Sequence, residues 1–98
     1  MPSFKVTRKA QADLIAIGRY TNKQWGVSQR NHYLRQLDDC FNQLAVNPAL
    51  GTSCDFILKG YRKFPQGSHL IFYKQDSENS IVIIRVLHQN MDVESILS

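Results

Sequence analysis

The hydrophobic residues of this 98-residue chain change their spacing once, and this change limits the folds open to it. Up to Leu44 they recur every three or four residues, the period of an amphipathic helix. From Tyr61 onward they alternate with polar residues or form short apolar runs, as strands do. A helical first half followed by a stranded second half predicts an α+β domain.

Two helices are predicted in the first half, after a short strand at residues 4–6. Thr7 offers an N-cap for the first helix, and Gly26 is expected to end it. Ser28 is the expected cap of the second helix, which ends at Asn47-Pro48 because the residue before a proline leaves the α region. The short connection between the helices predicts an antiparallel helical hairpin.

Three strands are predicted in the second half, at residues 60–64, 69–74 and 81–88. The last is apolar on both faces, so we expect it inside the sheet. The segment before these strands is expected to be a loop, and residues 91–97 a final helical turn or a docked tail. The expected order is β-αα-βββ, with the helical hairpin on one face of a small, mainly antiparallel sheet.

Composition excludes several classes of protein. The length allows one core, so we expect a single domain spanning residues 1–98. No apolar run could cross a bilayer and the N-terminus has no secretory signal, so we expect a cytoplasmic protein that does not contact membranes. Cys40 and Cys54 do not form a metal-binding pair, so we expect reduced thiols, no metal and no cofactor.

Positive charge is concentrated in the N-terminal third. The net charge of the chain is +4, but residues 1–35 carry seven cations against one anion. Such a surface meets nucleic acid or an acidic protein, or it is the solvated back of amphipathic helices. The sequence leaves both interpretations open.

Arg85 lies inside the most apolar strand, where an unpaired charge would be very costly. It either forms a salt bridge with Asp55, Asp92 or Glu94, or contacts an anion in a groove on the open face of the sheet.

Other candidate side chains also have two interpretations. His88 is either a general acid or base or a hydrogen-bonded histidine at a strand end. Arg62 and Lys63 point to opposite faces of their strand, so one of them shares a surface with Arg85 or His88. Trp25 is expected in the core more often than as an exposed anchor. The catalytic set is incomplete, so these residues alone leave a nuclease and a binding module open.

Three motifs occur in an order and at distances typical of one family. They are Trp25-Gly26, Asn47-Pro48 followed by Gly51, and Arg85-Val86-Leu87-His88 followed by Met91-Asp92. With these motifs the chain resembles the ParE toxins of the RelE/ParE superfamily of bacterial toxin–antitoxin systems. The resemblance covers nearly the whole chain and implies the same β-αα-βββ fold.

The resemblance implies a toxin that is not itself an enzyme. ParE toxins bind DNA gyrase and trap it on cleaved DNA, which blocks replication. A ParD antitoxin neutralises them with a C-terminal half that is disordered alone and folds around the toxin. Promoter DNA is contacted only indirectly, through the N-terminal half of the antitoxin.

The resemblance also indicates which residues meet these partners. The expected gyrase contacts lie near the sheet, the C-terminal side and the end of the first helix, and are Trp25, Arg62, Arg85, His88, Asn90, Met91 and Asp92. The expected antitoxin contacts lie in an apolar groove between the helices and the sheet edge, and are Leu14, Ile17, Tyr33 and Leu37, which equally fit a core.

Two alternatives from the same fold remain. A RelE-type, ribosome-dependent mRNA endonuclease would use Arg62 and Arg85 to hold phosphate and His88 as the acid. The segment after His88, residues 89–92, lacks the tyrosine that is common near the C-terminus of those nucleases. A third possibility is a protein that only binds its antitoxin and acts in a repressor complex.

Overall fold

The computed structural model describes residues 1–91 and 93–97, and it confirms the expected α+β class. The expected elements are present, including a short last helix, together with a 3₁₀ turn and a two-residue strand. In chain order they are β1 (Ser3–Val6), α1 (Arg8–Trp25), α2 (Val27–Val46), a 3₁₀ turn (Pro48–Leu50), β2 (Thr52–Ser53), β3 (Tyr61–Gln66), β4 (His69–Ser77), β5 (Ser80–His88) and α3 (Val93–Leu97). No helix in these described residues is long and apolar enough to cross a membrane.

The five strands form one mixed sheet in the order β1-β5-β4-β3-β2. Strand β1 runs parallel to β5, and the other neighbouring pairs are antiparallel. The apolar strand β5 therefore lies inside the sheet, between β1 and β4, as its sequence predicts.

Local sequence explains how the two helices begin and end. The Thr7 hydroxyl accepts a hydrogen bond from the backbone N–H of Ala10 at 3.0 Å, which confirms the expected cap of α1. Gly26 ends α1 with a φ of 92°, a conformation that favours glycine, and α2 begins at the next residue. The expectation that Ser28 caps α2 was wrong, because the chain restarts the helix directly after Gly26 and Ser28 falls within the first turn.

The main core lies between the helical hairpin and one face of the sheet. Phe4 of β1 packs edge to face on Phe41 of α2, with ring centroids 5.4 Å apart. Burial raises the pKa of the Cys40 thiol in this core. The buried members are Ala10, Ile17, Leu37, Cys40, Phe41, Leu44, Ala45, Ile71, Tyr73, Ile81, Ile83 and Val86.

A second, smaller core covers the other face of the sheet. Cys54, Phe72 and Leu87 are buried there beneath the loop before β3 and beneath α3. Val93 and Leu97 of α3 pack on this cluster, so the C-terminal segment docks back onto the sheet. The expectation of an open sheet face was therefore wrong, because that face supports an apolar cluster. Arg85 lines a cavity of about 290 Å³ together with Arg8 and Lys9, so an anion contact at Arg85 stays a prediction.

Asp13 of α1 fills a gap at the edge of β5. Strand β1 pairs with β5 only as far as Ile83, so the rest of β5 has no neighbouring strand on that side. The Asp13 carboxylate accepts the Val86 N–H at 3.0 Å and two hydrogen bonds from Arg85, at 2.8 and 2.9 Å. These bonds raise the pKa of the Arg85 guanidinium. The expectation that Asp55 pairs with Arg85 was thus wrong, since the observed partner is Asp13, 72 residues away, and Asp55 accepts the Gly60 N–H. The side chains of the other two expected partners, Asp92 and Glu94, lie outside what the structure describes.

We expect Asp13→Asn to lower the free energy of unfolding by about 2–3 kcal/mol. The substitution leaves the Arg85 guanidinium without a carboxylate at a site where 20% of the Arg85 side chain and 13% of the Asp13 side chain are exposed. Urea denaturation followed by circular dichroism measures the change.

Asp76→Asn is the matched control, because it removes the carboxylate of the other ion pair, with Lys5 at 3.5 Å. The Lys5 side chain is 72% exposed, so this variant should behave almost as the parent protein. Equal losses in the two variants would contradict the structural role assigned to Asp13.

Candidate functional site

A groove with aromatic walls crosses one end of the molecule. The last turns of α1, the first turns of α2, the β3–β4 turn and the segment after β5 meet there and enclose about 850 Å³. We call it the aromatic groove. Its lining residues are Ala16, Ile17, Tyr20, Thr21, Trp25, Gln29, Tyr33, Ser68, His69, His88, Asn90 and Met91.

Large apolar side chains stand exposed along this groove. Trp25 is 66% exposed, Tyr20 is 60% exposed and Met91 is 49% exposed. The rings of Tyr20 and Trp25 meet edge to face with centroids 6.1 Å apart. The expectation that Trp25 lies in the core was wrong, because the last turn of α1 leaves the indole exposed. Exposed aromatic residues of this kind are typical of the residues that dominate protein interfaces.

A hydrogen-bonded pair of side chains forms part of the groove wall. The Tyr33 hydroxyl of α2 donates to the carbonyl of Gln66 at 3.0 Å. Its oxygen also lies 2.7 Å from Nδ1 of His69. Since the hydroxyl has one hydrogen, already donated to Gln66, Nδ1–H of His69 is the donor in the second bond, and the lone pair of neutral His69 is on Nε2.

His88 faces His69 from the neighbouring strand. The two residues are directly opposite in the β4–β5 ladder, and their ring centroids are 5.6 Å apart. Nδ1 of His88 accepts the backbone N–H of Asn90 at 3.2 Å, so neutral His88 carries its hydrogen on Nε2. Burial and the neighbouring His88 lower the pKa of His69, while the carboxylate of Asp13 acts in the opposite direction.

The turn between β3 and β4 brings this wall close to α2. Gly67 adopts a φ of 58°, and a Cβ atom there would lie 2.7 Å from the Tyr33 hydroxyl. Only a residue without a side chain allows the turn to approach the ring this closely.

A second groove runs between the two helices on the face away from the sheet. It encloses about 560 Å³ and contains apolar side chains together with two arginines, Arg19 and Arg30. Gly18 faces Leu34 across the two helices, and a Cβ atom at Gly18 would lie 3.4 Å from Leu34, in ordinary van der Waals contact. We call it the interhelical groove. Its lining residues are Leu14, Ile15, Gly18, Arg19, Asn22, Arg30, Asn31, Leu34, Asp38 and Phe41.

The aromatic groove brings together four of the side chains expected to contact gyrase. They are Trp25, His88, Asn90 and Met91. Asp92 lies outside the described residues.

The two arginines expected beside them are elsewhere. Arg85 is paired with Asp13. Nη1 of Arg62 donates to the carbonyl of Gly51 at 2.7 Å, and Arg62 lines a separate polar cavity of about 380 Å³. Arg62 and Arg85, which would hold phosphate in the nuclease hypothesis, therefore do not line the groove that contains His88.

The four side chains expected to contact the antitoxin separate into three places. Leu14 lines the interhelical groove, while Ile17 and Tyr33 line the aromatic groove. Leu37 is completely buried in the main core, so it presents no surface to a partner and its expected contact was wrong.

Tyr20 and His69 line the aromatic groove but were not among the residues expected to contact a partner. Both belong to the sequence pattern that the chain shares with ParE toxins, which is the signal that could have pointed to them. The position of His69 opposite His88 also agrees with a count outward from the two-residue turn between Ser77 and Ser80, although the register shifts by one residue within the hairpin and shifts back before His69.

The side chains present limit the chemistry of the groove. Within residues 1–91 and 93–97, no three His, Cys, Asp or Glu side chains come together to hold a metal ion. The two imidazoles, the phenol and the exposed aromatic rings provide hydrogen bonds and apolar contact area, which suits recognition of a partner.

We expect His69→Gln to reduce the acid sensitivity of folding stability. The pKa of His69 is lowered in the folded chain from its ordinary value of 6.5, so below that pH the unfolded chain binds the proton first. In the unsubstituted protein, the free energy of unfolding should therefore fall as the pH drops below about 6.5. The fall contributed by His69 should be less than about 1.4 kcal/mol per pH unit, which is the limit for one proton, and His69→Gln should remove it. Urea denaturation from about pH 7.5 to about pH 5 measures the slope.

His32→Gln provides the control, because His32 is an exposed residue of α2. Its acid dependence should match that of the unsubstituted protein. If His69→Gln also keeps the full slope, the acid sensitivity originates elsewhere.

Comparison with known proteins identifies the family. A family model described as "ParE toxin of type II toxin-antitoxin system, parDE" matches residues 4–93. The chain is 47% identical over 91 residues to Toxin ParE1 of Mycobacterium tuberculosis, covering 93% of each protein. It is 36% identical over 95 residues to Toxin ParE1 of Caulobacter vibrioides, covering 97% of each.

Solved structures share the fold at lower identity. The chromosomal ParDE system of P. aeruginosa contains a chain that superposes with a TM-score of 0.74 at 22% identity, covering 90% of this chain and 96% of that one. A chain of the toxin–antitoxin complex RelBE2 from Mycobacterium tuberculosis gives a TM-score of 0.67 at 22% identity, covering 91% and 100%. The family match and the ParE1 relatives extend over nearly the whole sequence, and the chain therefore belongs to the ParE toxin family of type II toxin–antitoxin systems.

Proposed function

We propose that this ParE-family toxin inhibits DNA gyrase by binding it and trapping it on cleaved DNA, in the cytoplasm. The observation that carries the proposal is the aromatic groove, where exposed Trp25 and Tyr20 stand beside His88 and Met91. Inhibition by binding requires tighter contact with one gyrase state than with the others. A groove with large, already exposed aromatic side chains can provide such contact without a reacting group.

The distribution of charge supports binding over RNA cleavage. Cleavage would need cations placed against the scissile phosphate beside a proton donor. Arg85 is bonded to Asp13, and Arg62 lines another cavity, so neither lines the groove that contains His88. The nuclease remains the alternative that the experiment below tests directly.

We expect Trp25→Ala to raise the toxin concentration for half-inhibition of gyrase supercoiling at least tenfold, about 1.4 kcal/mol or more of binding energy. The loss follows from removing the largest exposed apolar surface of the groove. The assay contains purified gyrase, relaxed plasmid and ATP, and linear DNA is measured as the trapped product.

Phe56→Ala is the matched control, because Phe56 is 72% exposed but does not line the groove. It should inhibit as well as the parent toxin. A cell-free translation reaction runs beside the assay. Supercoiling that continues at saturating toxin would refute the proposal, and loss of translation with intact supercoiling would favour the nuclease.

We infer that a ParD-like antitoxin neutralises the toxin through an acidic amphipathic segment in the interhelical groove. Exposed Ile15 and half-buried Leu14 and Leu34 provide apolar contact area there. Arg19 and Arg30 line the same groove, within the part of the chain that carries most of the positive charge. Such charges speed the capture of an acidic partner. Promoter DNA would be contacted only through the antitoxin.

We expect Arg19→Glu to slow association with the antitoxin severalfold and to reduce its dependence on salt concentration. The substitution reverses a charge at the groove and leaves the apolar contacts in place. Stopped-flow association with purified antitoxin, at several salt concentrations, measures both effects.

Lys74→Glu changes the net charge by the same amount at an exposed residue of β4, outside the groove. Its association rate should stay close to that of the parent toxin. Equal slowing by both variants would indicate a response to net charge alone and would contradict the assigned groove.

A further inference from the structure

We propose that His69 and His88 form a binding site for divalent transition-metal ions at the wall of the aromatic groove. Imidazole nitrogen is a preferred ligand of Cu²⁺, Ni²⁺ and Zn²⁺. Both imidazoles line the same groove, so a bound ion can complete its coordination with water.

The separation of the two rings fits a shared ion. Their centroids are 5.6 Å apart, and the residues are directly opposite on adjacent strands. With metal–nitrogen bonds of about 2.0–2.1 Å, two imidazoles on one tetrahedral ion have ring centres about 5 Å apart. The two rings are nearly perpendicular, with an interplanar angle of 83°, so a shared ion requires the His88 ring to rotate until one of its nitrogens faces His69, without any change in strand register.

Tyr33 prepares His69 as a ligand. Its hydroxyl donates to the carbonyl of Gln66 at 3.0 Å and accepts Nδ1–H of His69 at 2.7 Å. This leaves the lone pair of His69 on Nε2. Metal-binding histidines commonly donate their other N–H to a fixed acceptor, which sets the tautomer and the ring orientation.

His88 is available at little cost. Its one hydrogen bond, from the N–H of Asn90, is long at 3.2 Å and lies at an exposed residue. Water can take the place of His88 as the acceptor, so either ring nitrogen can turn to the ion. The site needs no side chain beyond these two histidines, and its existence does not depend on which partner the toxin inhibits.

Trp25 makes the site measurable in the unlabelled protein. It is the only tryptophan of the chain and it lines the same groove. Paramagnetic Cu²⁺ held by the two histidines should quench its fluorescence in a saturable titration at about pH 7.5, and a chelator should restore it. Cu²⁺ should bind more tightly than Ni²⁺ or Zn²⁺, the usual order for nitrogen ligands.

His69→Gln and His88→Gln should each weaken Cu²⁺ binding at least tenfold, because each removes one of two protein ligands. His32→Gln, at an exposed histidine of α2 outside the groove, should bind as the parent protein does. Zn²⁺ at about ten times the dissociation constant of the parent protein should raise the Tm of the parent by about 7 °C and that of each groove variant by about 2 °C or less.

A measurement on the unsubstituted chain avoids any effect of the variants on folding. Substoichiometric Cu²⁺ should broaden the imidazole NMR signals of His69 and His88 before those of His32. Broadening of His32 first, or titration curves that coincide for His88→Gln and the parent protein, would overturn the site.

Discussion

The carboxylate of Asp13 joins the first helix to the inner strand β5, and the position of both grooves depends on this contact. One side chain accepts the Val86 N–H and both hydrogen bonds from Arg85. The Asp13 carboxylate takes the place of a strand neighbour for the part of β5 beyond Ile83, because β1 is only four residues long and does not reach it. Without it, a backbone donor and a half-buried guanidinium would lose their acceptor together. Because the contact lies in the first half of α1, it sets the rotation of that helix on the sheet.

The aromatic groove and the interhelical groove are formed by different faces of α1. Beyond Asp13, α1 turns Ile17 and Tyr20 toward the aromatic groove and Ile15 and Arg19 toward the interhelical groove. The interhelical groove is lined by two arginines and one aspartate, whereas the aromatic groove is lined by two histidines and otherwise by uncharged side chains. Helix α1 thus presents two chemically different surfaces, one with charged side chains and one with exposed aromatic rings.

Sequence periodicity predicted most of the fold because helices, strands and caps depend on nearby residues. Thr7, Gly26 and the apolar run of β5 each act within a few positions of themselves. The failures concern contacts between distant segments. Arg85 required a carboxylate, but nothing local selects Asp13, 72 residues earlier, over a closer one. Trp25 follows the apolar stripe of α1, yet it is exposed because exposure depends on where the helix ends relative to the sheet. Four of the expected gyrase contacts meet in one groove, since three of them follow a single strand end.

The placement of the cations distinguishes a binding surface from a nuclease better than the presence of histidines does. Histidines occur in both, because imidazole can donate, accept or transfer a proton at neutral pH. Phosphate chemistry further requires positive charge fixed against the reacting group. Here the guanidinium of Arg85 is neutralised inside the fold, while that of Arg62 bonds a backbone carbonyl in a different cavity. The histidines of the aromatic groove are instead accompanied by exposed rings, whose contribution is contact area. In this fold Arg62 and Arg85 are engaged in contacts within the structure, and the aromatic groove retains hydrogen-bonding groups without the fixed positive charge that cleavage needs.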